Sequence, residues 1–304
     1  MAVSPVWWRQ RQGRRRVTAR TSLAAWTGAA LLVLVGCSND DTDGDTNDDQ
    51  AARPSPTSSG EQAPREPGER AAVKWQPRPG TGWQWQLNGR VDTSFDVPVY
   101  DIDGFDNSAK TVAGLHADGR KVICYINAGA WEDWRPDADA FPEAVRGKGN
   151  GWEGERWLDI RQRDTLLPLM AKRMDMCVEK GFDAVEPDLM DGYRNRTGFP
   201  LTAADQLAYN RGLSKLAHER GLAVGLKNDL DQIPELVDDF EFAVNEECAE
   251  FGECAKLTPF IKANKAVFHV EYTLPTDKFC RTAKDLGLSS MRKRLDLDPW
   301  RDAC

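Results

Sequence analysis

The chain lacks most of the signatures by which exported hydrolases and metalloproteins are recognised. No Cys-x-x-Cys occurs, and the three histidines, His116, His218 and His269, are scattered. Neither a zinc ribbon nor a His-Glu-x-x-His zinc hydrolase is therefore encoded. No Gly-x-Ser-x-Gly elbow offers a nucleophilic serine. No glycine-rich phosphate loop follows the first strand-like segment, which counts against a nucleotide-binding doubly wound fold. The apolar run at residues 24–35 is about a dozen residues long, too short to span a bilayer as a helix. Basic charge is also scarce: 40 Lys and Arg stand against 48 Asp and Glu. Nucleic-acid binders need a basic face, so nucleic acid is disfavoured as a partner.

What is present begins with an export signal. Residues 1–36 hold six arginines (Arg9, Arg11, Arg14, Arg15, Arg16 and Arg20), no acid, and then the short apolar run, which is the layout of a signal peptide. The run ends in Leu34-Val35-Gly36-Cys37, which resembles the bacterial lipobox. That resemblance implies a lipoprotein anchored at the outer surface of the cell membrane through a diacylglyceryl group on Cys37. Removing the six arginines leaves 34 basic against 48 acidic residues, a net charge of about −14, which suits a cationic or neutral ligand. Residues 37–71 are rich in Asp, Asn, Ser, Thr, Pro and Gly with almost no apolar side chains, and are expected to be a disordered tether. Residues 72–304 remain, the length of one barrel-sized domain.

Six cysteines lie in that domain, an even number in an exported protein, which reads as a disulfide set. Six cysteines allow 15 pairings. Cys248 and Cys254 bracket a short loop, Cys280 and Cys304 would pin the C-terminus, and Cys124 is then left with Cys177.

Strand-like runs at residues 83–87, 97–103, 121–129, 182–189, 223–229, 240–247 and 266–272 alternate with helical stretches. A weaker eighth covers residues 288–295. Helices are expected at 109–117, at 165–180 and from a Thr202 cap to about Arg220, with Gly181 and Gly221 as stops. A long polar loop with four tryptophans (Trp131, Trp134, Trp152 and Trp157) is expected between residues 130 and 157. Near-continuous apolar strands separated by helices indicate a parallel sheet covered on the outside. Eight of them in this length predict a single-domain α/β fold, the (β/α)8 TIM barrel.

Polar groups gather at the C-terminal ends of these strands, where such barrels carry their active sites. They are Asp101 and Asp103; Tyr125 and Asn127; Glu186 and Asp188; Lys227, Asn228 and Asp229; Asn245, Glu246 and Glu247; Glu271 and Tyr272. The densest stretch, Gly181 to Tyr193, carries Glu186, Asp188 and Asp191, and strand alternation puts Glu186 and Asp188 on one face. With no serine elbow and no metal motif, paired carboxylates are the chemistry that remains. Two carboxylates around an acetal, with tryptophans to stack on sugar rings, is the arrangement of a glycosidase.

The segments Trp83-Gln84-Trp85-Gln86-Leu87, Tyr100-Asp101-Ile102-Asp103, Val122 to Asp137, Glu186-Pro187-Asp188, Gly225-Leu226-Lys227-Asn228 and Asn245-Glu246-Glu247-Cys248 together resemble the endo-α-1,4-polygalactosaminidases, glycoside hydrolase family 114. The resemblance covers nearly all of the predicted domain, in order. It implies a TIM-type barrel and endo-cleavage of α-1,4-linked galactosamine polymers. It also implies one catalytic acid at Asp188 and a second in the Asn-Glu-Glu-Cys motif, Glu246 or Glu247, of which Glu246 is preferred. Asp101, Asp103, Tyr125, Asn127, Glu186, Lys227, Glu247 and Glu271 are candidates for substrate binding, Lys227 also as the partner that keeps a catalytic carboxylate ionised. Leu189 departs from the family pattern, which carries a polar residue, often Asn, at that position. No metal, cofactor or protein partner is implied. A carbohydrate-binding lipoprotein on a catalytically silent barrel is the alternative from another class.

Overall fold

In the computed structural model, residues 75–304 are described; the expected signal peptide, the lipidated Cys37 and the tether lie outside the described residues. Side chains on a strand alternate between its two faces, and the chain uses this to fill a barrel interior and an outer layer at once. The first two strands, β1 (Trp83–Gln86) and β2 (Val99–Asp103), are parallel neighbours with no helix between them. Helix α1 (Ala109–Ala117) then leads to β3 (Lys121–Asn127). Its N-terminus is capped by the Ser108 side chain, which accepts from Thr111 N–H.

The tract at residues 130–157, expected to be a loop, is instead a small antiparallel sheet. Its strands are β4 (Ala130–Glu132), β5 (Arg146–Gly149) and β6 (Glu155–Leu158), in the order β4-β6-β5. The sequence hides these strands because they are three or four residues long and rich in charge and glycine, with no apolar alternation to read. Buried ion pairs hold the insert to the barrel. Arg135 forks onto Asp103 at 3.0 and 2.7 Å and reaches Glu132 at 2.9 Å, while Arg173 binds Asp137 and the Asn127 carbonyl.

The barrel resumes after α2 (Arg163–Lys180), which ends at Gly181 with φ 89°. Strand β7 (Ala184–Asp188) is followed by α3 (Ala203–Glu219), opened by a Thr202–Asp205 capping box. Strand β8 (Ala223–Lys227) and the four-residue helix α4 (Ile233–Leu236) come next, then β9 (Phe242–Glu246) and α5 (Thr258–Lys262). The chain ends with β10 (Val267–Glu271), α6 (Thr276–Asp285), β11 (Ser289–Lys293) and a terminal strand, β12 (Arg301–Ala303).

The sheet runs β1-β2-β3-β7-β8-β9-β10-β11-β12, and all pairings are parallel except the last. This is a nearly closed TIM-like barrel of eight parallel strands. Between β11 and β1 no strand ladder forms; other bonds bridge the seam. The Trp83 indole donates to the Ser289 carbonyl at 2.9 Å, and Leu87 and Asn88 N–H both donate to the Leu297 carbonyl. The barrel interior is packed by Trp83, Trp85, Phe242 and Phe268, with Trp83 and Phe268 centroids 4.8 Å apart. The larger apolar layer lies between strands and helices and includes Leu115, Met170, Met174, Leu213 and Phe260.

Three disulfides are present: Cys124–Cys177, Cys248–Cys254 and Cys280–Cys304, with Cα atoms 6.0, 4.7 and 5.2 Å apart. They tie α2 to β3, close the loop after β9 and fasten the terminal strand to α6. Such a set belongs to an extracytoplasmic protein. Among the described residues no helix is long and apolar enough to cross a membrane.

Candidate active site

The interior floor is aromatic, but the upper end is polar. Inward positions on β7, β8 and β9 end in Asp188, Lys227 and Glu246, and the three side chains meet. Lys227 Nζ lies 2.8 Å from Asp188 Oδ1, 3.2 Å from Glu246 Oε2 and 3.6 Å from Glu186 Oε1. Lys227 is only 1% exposed, and its ammonium sits 4.9 Å from the Trp85 ring centroid. One buried cation therefore bridges the two acids. With the two distances laid end to end, the oxygens of Asp188 and Glu246 that face the ammonium stand at most about 6 Å apart.

The two acids have different surroundings. Asp188 Oδ1 also accepts from Leu189 N–H at 2.7 Å, and Oδ2 accepts from the Tyr125 hydroxyl at 2.8 Å. Burial opposes ionisation of Asp188, but Lys227, Tyr125 and Leu189 N–H overcome it and hold the carboxyl below its ordinary range. Glu246 Oε2 accepts from Asn228 Nδ2 at 3.2 Å, and Oε1 accepts from the Tyr272 hydroxyl. Asn228 fixes the Glu246 backbone as well, accepting from its N–H at 2.9 Å.

Each of the three strands turns through a left-handed residue as it leaves the site. Leu189 has φ 61°, Asn228 and Asp229 have 50° and 44°, and Glu247 has 63°. Such conformations cost free energy for a non-glycine residue and cluster where the fold must aim a side chain. After β7 the turn presses on Gly129: a Cβ there would lie 1.9 Å from the Leu189 carbonyl oxygen. Only glycine fits beneath that turn, and an asparagine at position 189 would suit its left-handed backbone better than Leu189 does.

The other sequence candidates fall into distinct places. Tyr125 and Asn127 join the cluster: Asn127 is in register with Asp188, and its Nδ2 donates to Glu155 Oε2 at 3.4 Å. Glu247 leaves the strand as Glu246 stays, so Glu246 is the glutamate that reaches Lys227. Asp103 faces the same end but is taken up by Arg135 and by the N–H groups of Phe105 and Asp106. Asp101 and Glu186, expected to bind sugar groups, are both 0% exposed beneath Lys227 and present no surface to a ligand. Glu271 is not in the site. Strand alternation turns it outward with His269, where it accepts from His269 Nε2 and Ala249 N–H at 2.8 Å each, and it is Tyr272 that faces inward.

Several groups at the site were not among the sequence candidates. Glu155, from the insert, accepts from Asn127 and from Asn150 Nδ2 at 2.6 Å. Tyr272 was noted only as a polar strand end. Asp191 is pushed up to about 6 by burial and then by Asp188, and Asp229 to about 8 by burial and then by Asp191. Of the four tryptophans in the insert, Trp157 is core and Trp131 packs under Arg146 at 4.3 Å, whereas Trp134 is 52% exposed. Cys248, Cys254 and His269 converge, but the two sulfurs are joined to each other, so no thiolate is left for a metal.

The site thus offers one carboxylate held ionised and a second on the far side of the same ammonium, with hydrogen-bonding groups around both. Comparisons with known proteins agree with this chemistry. The crystal structure of Aspergillus fumigatus Ega3 in complex with galactosamine matches with 39% identity and a TM-score of 0.74, covering 78% of this chain and all of that one. The glycoside hydrolase domain of PelA from Pseudomonas aeruginosa shares the fold at 12% identity and a TM-score of 0.58, covering 75% of this chain and 99% of that one. No curated protein matches by sequence. The sequence profile of glycoside-hydrolase family GH114 matches residues 64–304. On that match, and on the barrel with its facing acids, the chain belongs to glycoside-hydrolase family GH114.

Proposed function

We propose that the protein is an endo-acting hydrolase of galactosamine-containing exopolysaccharide, with Asp188 as nucleophile and Glu246 as general acid and base. The observation that carries the reading is the single Lys227 ammonium shared by both carboxyl groups. It holds their facing oxygens within about 6 Å, short of the roughly 6.5–9.5 Å of inverting glycosidases and in keeping with retaining ones. Asp188, held ionised, attacks the anomeric carbon as the C1–O bond breaks. The Glu246 proton passes to the leaving oxygen of the next sugar. In the second half, Glu246 takes a proton from water, the water oxygen attacks C1, and Asp188 leaves. Configuration is retained. Tyr125 and Lys227 disperse the charge that grows on Asp188 as the ester is released.

The substrate assignment rests on family membership, on the galactosamine bound by Ega3 and on the acidic chain, which complements a polymer of amino sugars. Trp134, exposed on the insert, and Glu155, held by Asn127 and Asn150, are suited to hold flanking sugar units. A lipid anchor on Cys37 and a tether through residue 71 would keep the domain, residues 72–304, at the membrane surface while its substrate is an extended polymer.

The test uses the mature chain with Asp188→Asn and Glu246→Gln variants on de-N-acetylated and N-acetylated α-1,4-galactosamine oligomers. Cleavage should fall more than about 10³-fold in both variants while binding persists. NMR of the first product should show the α anomer. Unchanged turnover in both variants would overturn the assignment and leave a carbohydrate-binding protein. Cys37→Ser should release the protein into the medium.

A further inference from the structure

Beneath the catalytic groups lies a second acidic pair that the reaction does not use. Glu186 is two residues before Asp188 on β7, one pleat below it on the same inward face. Asp101 projects inward from β2 and meets it. Both are fully buried, and none of their four carboxyl oxygens accepts a hydrogen bond from an N–H or O–H of the described residues. Each carboxyl group feels the other's charge, and the one cation near them, Lys227 Nζ, stands 3.6 Å from Glu186 Oε1, beyond hydrogen-bonding distance. Two carboxyl groups can bond to each other only through a proton.

Charge balance gives the same answer. Four carboxyl groups, Asp101, Glu186, Asp188 and Glu246, share one ammonium, Lys227, and that ammonium is closer to Asp188 and Glu246 than to Glu186. Fully ionised, the five groups would carry −3 in a largely buried cluster, which such a cluster avoids by keeping protons. The groups facing the pair are Tyr125 from β3, Asp188 from β7, Lys227 from β8 and Glu246 from β9. Among them only Lys227 is a cation.

We propose that Asp101 and Glu186 are a proton-sharing pair that positions Lys227: by holding one proton between them they leave the ammonium to Asp188 and Glu246. They are positioning residues and touch no sugar. Burial pushes Glu186 up to about 7 and Asp101 well above its ordinary range, in keeping with a proton retained near neutrality. When that proton leaves, the pair gains a second negative charge, which draws Lys227 down and away from Asp188 and Glu246.

This inference rests on the reading of Asp188 and Glu246 given above, but its first test does not depend on turnover. Infrared spectroscopy of the unliganded mature protein at neutral pH should show a protonated-carboxyl C=O band. Asp229 and Asp191, raised to about 8 and about 6, carry protons of their own, so the pair's component is read as wild type minus variant: Glu186→Gln and Asp101→Asn should each remove it, and Asp229→Asn should leave it. In the wild type that component should fade between about pH 6 and 8. A difference spectrum that shows no such component for either substitution overturns the shared proton. Where one substitution prevents folding, the other decides. In the second test, Glu186→Gln cannot take the extra charge. Lys227 therefore stays with Asp188 and Glu246 at higher pH, and the alkaline limb of kcat/KM should move up by about one pH unit, with KM within about twofold of wild type. A raised KM with an unmoved profile would make the pair a substrate contact and refute the positioning role. If Asp188→Asn and Glu246→Gln turned out active, the proposed chemistry would fail while the infrared result still stood.

Discussion

Replacing Lys227 by methionine keeps most of the side-chain volume and removes the ammonium. In the wild type that group bonds Asp188 at 2.8 Å, contacts Glu246 at 3.2 Å and Glu186 at 3.6 Å, and is buried. Breaking a buried pair by removing one partner costs about 3–5 kcal/mol, because the remaining charges are left without compensation. For a domain of this size each kcal/mol lowers Tm by about 2–4 °C, so a loss of roughly 6–20 °C is expected near pH 8. The sign of the pH dependence follows from Asp188. Without Lys227 its folded-state pKa rises, so the variant's folded state takes up a proton more readily as pH falls. The deficit should be largest at pH 8 and shrink toward pH 5. Thermal denaturation of both proteins at the two pH values measures this, and cleavage of a galactosamine oligomer should fall about 10²–10³-fold in parallel. An equal deficit at both pH values would mean that packing was lost rather than charge pairing. A wild-type Tm at pH 8 would refute a buried ammonium at the centre of the site.

Other perturbations have equally definite outcomes. Gly129→Ala places a Cβ 1.9 Å from the Leu189 carbonyl oxygen, so the backbone must shift beside Asp188. A destabilisation of about 1–3 kcal/mol is expected. Cleavage should fall about 100-fold, with loss of kcat rather than binding, as progress curves would show. Leu189→Asn suits the left-handed backbone at φ 61° and should raise stability by up to about 1 kcal/mol in urea denaturation. A loss of stability there would mean that the leucine's packing outweighs its strain. For the wild type, Asp191, Glu186 and Asp229 are raised to about 6, 7 and 8, so they remain protonated when folded at pH values where the unfolded chain has released those protons. Stability should therefore fall as pH rises from about 5 to 8, while Asp188, depressed by its donors, adds stability that is lost only on acidification below its unfolded pKa. A fluorimetric Tm series that climbs steadily from pH 5 to 8 would contradict this.

The sequence by itself determined the barrel. Seven of its eight parallel strands are apolar runs between helix signals, because a strand buried on both faces must be apolar almost throughout. It also determined which strand ends are polar, and period-two alternation alone put Glu186 with Asp188 and separated Glu246 from Glu247. The tertiary structure decided depth and partnership. Asp101, Glu186, Asp188 and Glu246 look alike in sequence, yet two lie under an ammonium and two beside it, since depth in a barrel depends on how far neighbouring strands are staggered. Glu271 turned outward and Tyr272 inward because the register of β10 is fixed by the strands it pairs with on each side. The β4–β6 insert was invisible because buried Arg135 and Arg173, rather than an apolar pattern, hold it down. Local pattern fixes the face a side chain takes, while packing against distant strands fixes its charge, its neighbours and so its chemistry.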